Sequence, residues 1–324
     1  MTFVALLGSI EMGIIFAIMA LGVFLTFRIL DFPDLTVDGS FVTGGAVAAG
    51  MILTGANPLL ASFCALFIGF FVGCITGILH TKGKINPLLS GILMMTALYS
   101  VNLRIMGFTL EGQTSRPNIP LLNIDTLFTP IENWSKAMGI EQYGTIIFLL
   151  FIALIFKFST DLFLKTEIGL AIRATGDNKR MIRSFSANTD SLTILGLGIS
   201  NAFVAFAGSL FAQYNQFADV NMGIGMIVVG LASVIIGEAL FGKKSIARAT
   251  FAVVCGAIIY RIIIGFALAN KLLDSSDQRL ITALIVIAAL VVPKMIENYR
   301  HKKRKAQRQK QKLLEEAKGG NVNA

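Results

Sequence analysis

The fold class follows from the segment MIVVGLASVIIGEALFGKKS, residues 226–245. Gly237, Gly242 and Lys243 have the spacing of a phosphate-binding P-loop, G-x-x-x-x-G-K-[ST]. That motif needs Ser or Thr where this chain has Lys244, and it follows a β-strand. Here a long apolar run precedes the glycines, so the segment predicts a membrane helix that ends at two basic residues. Any ATP that this protein uses must therefore bind to another chain.

The composition of the whole chain agrees with a membrane helix. Hydrophobic residues make up 55% of the 324 positions and charged residues 15%, whereas soluble domains carry about 25% charged residues. The mean hydropathy is +0.73. A spanning helix needs about 20 mostly apolar residues. The sequence predicts an all-α polytopic membrane protein with about nine transmembrane helices, at residues 6–27, 37–54, 58–79, 86–107, 143–164, 190–213, 222–241, 246–268 and 278–294.

The basic residues predict the orientation of these helices. Alternate connections and the C-terminal tail hold 22 of the 28 Lys and Arg residues, and cytoplasmic loops carry such an excess. The N-terminus is therefore expected outside and the C-terminus in the cytoplasm. Residues 1–296 form one transmembrane domain, with a cytoplasmic loop at 166–190 and an extracellular loop at 108–142. Residues 297–324 form a basic cytoplasmic tail.

The sequence argues against catalysis, metal binding and nucleic-acid binding. It contains no recognisable pairing of a nucleophile with a base, and its two histidines are too far apart for a metal site. The three cysteines lie in apolar runs and are expected to be reduced. The basic tail lacks interleaved aromatic residues, which favours contact with anionic lipid over nucleic acid.

The cytoplasmic loop TEIGLAIRATGDNKRMIRSFSANTDSL, residues 166–192, is more than a connection. Apolar residues alternate with basic ones, which predicts one or two short amphipathic helices interrupted around Gly176-Asp177-Asn178. Such helices either lie on the membrane surface or dock into a groove on a cytoplasmic partner. The pattern alone leaves both interpretations open.

Three segments carry a resemblance to a known family. They are the loop residues E167-I-G-L-A-I-R-A174, the N-terminal FRILDFPDLTVDGSFVTGGAVAA at 27–49, and GLASVIIGEALFGKK at 230–244. In this order they resemble permease subunits of ATP-binding-cassette importers, closest to the branched-chain amino-acid permease family and to a branch of it whose substrates are uncharacterised.

The resemblance implies a permease domain in the plasma (inner) membrane of a bacterium. It implies a homodimer, cytoplasmic ATPase subunits that hold ATP and Mg²⁺, and an extracellular substrate-binding protein, whereas the chain itself binds no cofactor and is not an enzyme. The ATPase-coupling residues would then be Glu167, Gly169, Ala171, Arg173, Ala174, Gly176, Asp177, Arg180 and Ala187.

A weaker internal repeat suggests a transporter. FPDLTVDG (32–39) and FADVNMG (217–223) both begin Phe-x-Asp and end in glycine. In the predicted topology the helix after the first segment starts at the cytoplasmic side, and the helix after the second starts at the outer side. Inverted repeats with interrupted helices are common in transporters, and their helix ends lie near the substrate path. Polar residues in or beside the apolar segments are candidates for that path: Asp34, Asp38, Ser40, Asn102, Asn201, Glu238 and Arg261. Arg261 is expected to pair with a carboxylate or to line a cavity.

Gly69, Gly73 and Gly77 form a glycine stripe along one helix face. Such a stripe permits close helix approach, either within the subunit or between two copies.

The sequence predicts import of a small polar solute, an amino acid by the resemblance and an aromatic one as the narrower expectation. The alternative is an ion-coupled secondary transporter that uses Glu11, Asp34, Asp38 or Glu238. The amphipathic cytoplasmic loop separates the two, because a secondary transporter has no ATPase to contact.

Overall fold

The computed structural model describes residues 3–108, 115–139, 142–184 and 188–269, with five single residues between 280 and 291. The chain is almost entirely helical within these ranges. The helices are α1 (Phe3–Val23, continued by a π-helical turn at Phe24–Ile29), α2 (Thr36–Leu53), α3 (Pro58–Thr81), α4 (Pro87–Gly107), α5 (Thr129–Ala137), α6 (Gly144–Phe163), α7 (Glu167–Asp177), α8 (Lys179–Ser184), α9 (Thr189–Asn215), α10 (Met226–Phe241) and α11 (Ile246–Ala269). Two short strands, β1 (Asn118–Pro120) and β2 (Phe217–Asp219), pair antiparallel.

The all-α polytopic architecture is confirmed. Seven helices of the described ranges, α1 with its π turn, α2, α3, α4, α6, α9 and α11, are long and apolar enough to cross a membrane. The predicted span at 222–241 is shorter than expected, because α10 begins only at Met226, after Gly225 adopts a left-handed φ of +86°. The predicted span 278–294 and the tail 297–324 lie outside the continuously described residues.

The spanning helices form an inner and an outer set. Most of α1, α2 and α9 is buried inside the protein, whereas α4 and α6 are largely exposed. The exposed face of α3 carries large apolar side chains such as Phe67 and Phe71, as expected for contact with lipid. The inner set holds part of the buried polar residues, among them Ser40 of α2 and Asn201 of α9, which the bilayer cannot solvate.

Glycines determine how closely α3 and α9 approach. A Cβ built on Gly69 would lie 2.5 Å from the Asn201 carbonyl oxygen, and one on Gly73 would lie 2.1 Å from that of Leu197. Gly77 faces Ile194 in the same way. No real side chain tolerates such distances, so the glycine stripe is a packing seam within the subunit.

Gly237 serves the same purpose between α10 and α11. Its Cβ would lie 2.0 Å from the Ala252 carbonyl oxygen. The P-loop-like glycine is thus a helix-packing residue, and the element before it is a helix, which excludes a P-loop.

The two ends of the molecule carry different structures. At one end, β1 ties the loop after α4 to β2, which follows α9. At the other end, α7 contacts both α9 and the π turn of α1. These two groups are those that the positive-inside pattern assigns to the outside and the cytoplasm. The absolute orientation stays a prediction.

Candidate functional site

The predicted amphipathic loop forms two short helices, α7 and α8, separated at Asn178. The Thr166 hydroxyl caps α7 by accepting from the Gly169 amide at 3.2 Å. The Asn178 side chain caps α8 by accepting from the Met181 amide at 3.1 Å. Because Asn178 is itself non-helical, the cap both ends one helix and starts the next.

Two glycines hold α7 against the membrane helices. A Cβ on Gly169 would lie 2.0 Å from the Phe163 carbonyl oxygen at the end of α6. A Cβ on Gly176 would lie 1.9 Å from the Ile29 carbonyl oxygen at the end of the α1 π turn. Together with the buried Ile172, these contacts fix α7 to two different membrane helices.

The rest of the pair's surface is exposed or half-exposed in the described part of the chain, and Ile168 and Leu170 flank the buried Gly169 on its two sides. Ile168 and Leu170 of α7 are each 50% exposed, and Met181 of α8 is 47% exposed. Some of the predicted coupling residues are buried or half-buried, and others are exposed. Glu167, Asp177 and Arg180 are exposed, Gly169 is buried, and Ala171, Arg173, Ala174 and Gly176 are half-buried, whereas Ala187 lies outside the described residues.

A buried polar cluster forms where α2 begins. Asp34 accepts from the Thr36 amide at 2.9 Å and from the Asn201 side-chain amide at 2.7 Å. The Ser40 hydroxyl donates to Asn201 Oδ1 at 2.6 Å. Burial raises the pKa of the Asp34 carboxyl, and the hydrogen bonds from Asn201 and Thr36 act against that rise. Three of the predicted path residues, Asp34, Ser40 and Asn201, therefore lie in one network.

Asp38 lies in α2, one helical turn after Asp34, and accepts hydrogen bonds from a different helix. Its two oxygens accept from the Gly225 amide at 2.9 Å and the Ile227 amide at 2.8 Å. These are free amides at the N-terminus of α10, where a carboxylate also matches the helix dipole. Asp38 is thus the N-terminal cap of α10, supplied by another helix.

The two halves of the predicted repeat share a local geometry. Asp34 accepts from the amide two residues ahead of it, and Asp219 accepts from the Asn221 amide in the same way, at 2.7 Å. Each turn precedes a helix, α2 in one case and α10 in the other. The common turn supports the repeat, and its inverted orientation stays a prediction.

The remaining path candidates lie apart from this cluster. Asn102 of α4 is buried, and its amide donates to the Gly39 carbonyl oxygen at 3.4 Å. Its Oδ1 is buried and has no hydrogen-bond partner in the described part of the chain. The Arg261 guanidinium lies over the Phe16 ring, 5.4 Å from its centre. The expected carboxylate partner of Arg261 is not found among the described residues.

Glu238, the last path candidate, lies at the C-terminal end of α10. Its Oε1 is 2.9 Å from Arg28 Nε of the α1 π turn. This ion pair lines a cleft of about 420 Å³ between the π turn, α7 and the α10–α11 turn. The other charged residues that line the cleft are Arg173, Asp177, Lys243 and Lys244.

Sequence reasoning missed three polar contacts. Lys157 and Asp161 pair within α6 at 2.5 Å, and Asp161 also accepts from the Thr250 hydroxyl of α11 at 2.6 Å. Their spacing of four residues in an apolar helix was an available signal. The Glu11 carboxylate accepts from the Tyr214 hydroxyl at 2.6 Å. Because these two positions are distant in the chain, no local sequence pattern predicts their contact.

Comparison with known proteins assigns the family. The family described as the branched-chain amino acid transport system permease component matches residues 5–292. The chain is 43% identical to the tyrosine transport system permease protein of Clostridioides difficile (strain R20291), over 88% of this chain and 90% of that protein. It is 25% identical to the ribose import permease protein RbsC of Escherichia coli (strain K12), over 85% of this chain and 81% of that protein.

A third relative is the autoinducer 2 import system permease protein LsrC of Yersinia pestis (strain Pestoides F), 31% identical over 73% of this chain and 62% of that protein. No solved structure matches the chain. The chain therefore belongs to the branched-chain amino acid transport system permease family and is a multi-pass protein of the bacterial inner membrane.

Proposed function

We propose that this chain is the permease subunit of an ATP-binding-cassette importer and that its substrate is an aromatic amino acid. The observation that carries the proposal is the pair α7 and α8, which presents exposed apolar residues on its outer surface and is fixed to the membrane helices by its buried residues. Cytoplasmic ATPase subunits would bind this face and hold the ATP and Mg²⁺. An extracellular binding protein would deliver the substrate, and a second copy of the chain would complete the path.

The anchoring of α7 favours docking to a partner over contact with lipid. A helix that lies on a bilayer keeps its apolar face in the acyl region. The inward face of α7 instead meets backbone of α6 and α1 through Gly169 and Gly176. The apolar residues Ile168 and Leu170 therefore remain available for contact with another protein. Helix-in-groove docking uses such residues as anchors.

The carboxylates argue against the ion-coupled alternative. Asp34 is held by Asn201, Asp38 by the α10 amides, and Glu11 by Tyr214. Glu238 is paired with Arg28. An ion-coupling site needs a carboxylate that can exchange protons or bind a cation, whereas each of these is already engaged by a hydrogen-bond donor or a cation of the chain itself.

The similarity to a tyrosine permease supports the substrate class, together with the family description, which names amino acids. Because relatives named for ribose and autoinducer 2 are more distant in identity or in coverage, an amino acid is the substrate that the comparisons favour.

Co-purification from the native host tests the ATPase partner. We expect an ATPase subunit to remain with the wild-type chain and with Leu170→Met, and to be lost from Leu170→Glu and Ile168→Glu. The charged variants should still insert, because both side chains are 50% exposed and lie outside the membrane-spanning helices. A wild-type chain that never retains an ATPase under mild detergent would overturn the proposal.

Gly169 is a poor site for the same test. A bulky residue there would collide with the end of α6, so it would displace α7 instead of altering the docking face. Arg173→Glu is likewise ambiguous, because Arg173 lines the cleft that contains the Arg28–Glu238 pair.

Uptake into vesicles that contain the assembled transporter tests the substrate. We expect ATP-dependent uptake of labelled tyrosine, inhibited by other aromatic amino acids at least about tenfold more strongly than by leucine or ribose, since a site shaped for a ring discriminates strongly against smaller ligands. Equal inhibition by ribose would contradict the amino-acid assignment.

A further inference from the structure

We propose that Arg28 and Glu238 are positioning residues of the transport cycle, whose ion pair holds the inner end of α10 to the end of α1 and is opened by movement of α7. The inference rests on the proposed function, since it assumes that a partner moves α7. It adds the route by which that movement reaches the membrane helices.

The segment that carries Arg28 has an unusual backbone. The α1 helix ends in a π-helical turn at Phe24–Ile29, in which the Leu30 amide donates to the Leu25 carbonyl oxygen. Asp31, two residues after it, has a φ of +52°. π turns frequently lie at functional sites, and a positive φ is uncommon for a residue other than glycine. Such a segment changes conformation more readily than a regular helix.

The α7 helix contacts this segment directly. Gly176 lies against the Ile29 carbonyl oxygen so closely that a Cβ would be 1.9 Å from it. Ile29 follows Arg28 in the chain. A shift of α7 toward the π turn would therefore press on Ile29 and move Arg28 relative to Glu238.

The ion pair is suited to opening and closing. The Arg28 side chain is 39% exposed and that of Glu238 is 17% exposed, and exposed pairs contribute little to folding stability. The adjoining cleft of about 420 Å³ offers room for movement. Lys243, Lys244 and Arg173 line the same cleft, so Glu238 has other cations available when Arg28 leaves.

Charge reversal tests the pair. In the assembled transporter we expect Arg28→Glu and Glu238→Arg each to lower the maximal uptake rate about tenfold, the scale of an ordinary coupling free energy. ATP hydrolysis should continue, and the substrate concentration for half-maximal uptake should change little. The double variant Arg28→Glu/Glu238→Arg should recover most of the uptake. Single variants that transport at the wild-type rate, or a double variant no better than either single one, would overturn the proposal.

Cross-linking gives a second readout that does not depend on charge. With Cys64, Cys74 and Cys255 replaced by serine, cysteines at 28 and 238 are joined by a short bifunctional thiol reagent. We expect the cross-link to abolish the uptake that remains in the unreacted Arg28→Cys/Glu238→Cys variant, while a monofunctional reagent on the same variant does not. Full uptake by the cross-linked protein would contradict the proposal.

Retention of the ATPase subunit is measured on every variant. Loss of uptake with the ATPase retained supports the role of the pair, whereas a wild-type chain without an ATPase refutes the proposed function instead.

Discussion

At the scale of single residues, the buried hydrogen bonds of Asn201 matter most for stability. Its amide donates to Asp34 and its oxygen accepts from Ser40, and all three residues are buried. Asn201→Leu would leave the Asp34 carboxylate with one fewer donor in a site that water does not reach. We expect a loss of about 3 kcal/mol in the free energy of unfolding, seen as a lower aggregation temperature in detergent.

Asp34→Asn is the matched control for that variant. It removes the buried charge and keeps the shape with one of the two acceptor oxygens, so one hydrogen bond remains and its loss of stability should be smaller than that of Asn201→Leu. An aggregation temperature for Asn201→Leu equal to the wild type would show that the network does not stabilise the helix packing.

For Asn102 we predict the opposite effect of substitution on stability. Its Oδ1 is buried without a hydrogen-bond partner in the described ranges, and an unsatisfied buried polar group costs about 1–3 kcal/mol. We expect Asn102→Leu to be as stable as the wild type or more stable. If uptake nevertheless falls in this variant, the amide acts in transport, as the sequence predicted. A large loss of stability would contradict the structure around Asn102.

At the scale of helices, the start of α10 depends on Asp38. Two free amides of α10 donate to this carboxylate, and an N-cap contributes about 1 kcal/mol. Asp38→Ala should lower the aggregation temperature, and Asp38→Asn, which keeps an acceptor, should lower it less. Equal effects of the two variants would show that the cap does not depend on an oxygen at this position.

The contact between α3 and α9 gives a larger effect. A side chain at Gly73 would collide with the Leu197 carbonyl oxygen, and overpacked cores lose about 1–3 kcal/mol. Gly73→Leu should therefore reduce the amount of folded protein recovered from membranes, whereas Phe71→Leu, on the exposed face of the same helix, should not. Normal recovery of Gly73→Leu would exclude the close approach.

Helix positions were the easiest feature to predict from the sequence, because the length of an apolar segment and the basic residues at its ends are local features of the chain. The break of the cytoplasmic loop near Asn178 was also predictable, since capping residues act on their own helix. The late start of α10 was not, because it depends on Asp38, distant in the chain. For the same reason the sequence grouped Glu238 with Asp34, although the structure places Glu238 at the C-terminal end of α10 and Asp34 in the buried cluster.

At the scale of the whole molecule, the fold divides its connections between two ends, and the charges assign each end to a side of the membrane. The strand pair joins the segments around Ile119 and Ala218 at one end, while Arg28, Lys243 and Lys244 surround the cleft at the other. Cytoplasmic loops carry the excess of basic residues, so the strand pair should face outward.

Cysteine labelling tests this orientation. In a chain whose native cysteines are replaced by serine, Leu122→Cys, 67% exposed beside β1 in the wild-type chain, should react with a membrane-impermeant maleimide on intact cells. Lys243→Cys should react only after the cells are permeabilised. Both variants should label fully in denaturing detergent, which controls for thiol reactivity. Labelling of Lys243→Cys alone on intact cells would invert the topology and place α7 outside, away from any cytoplasmic ATPase.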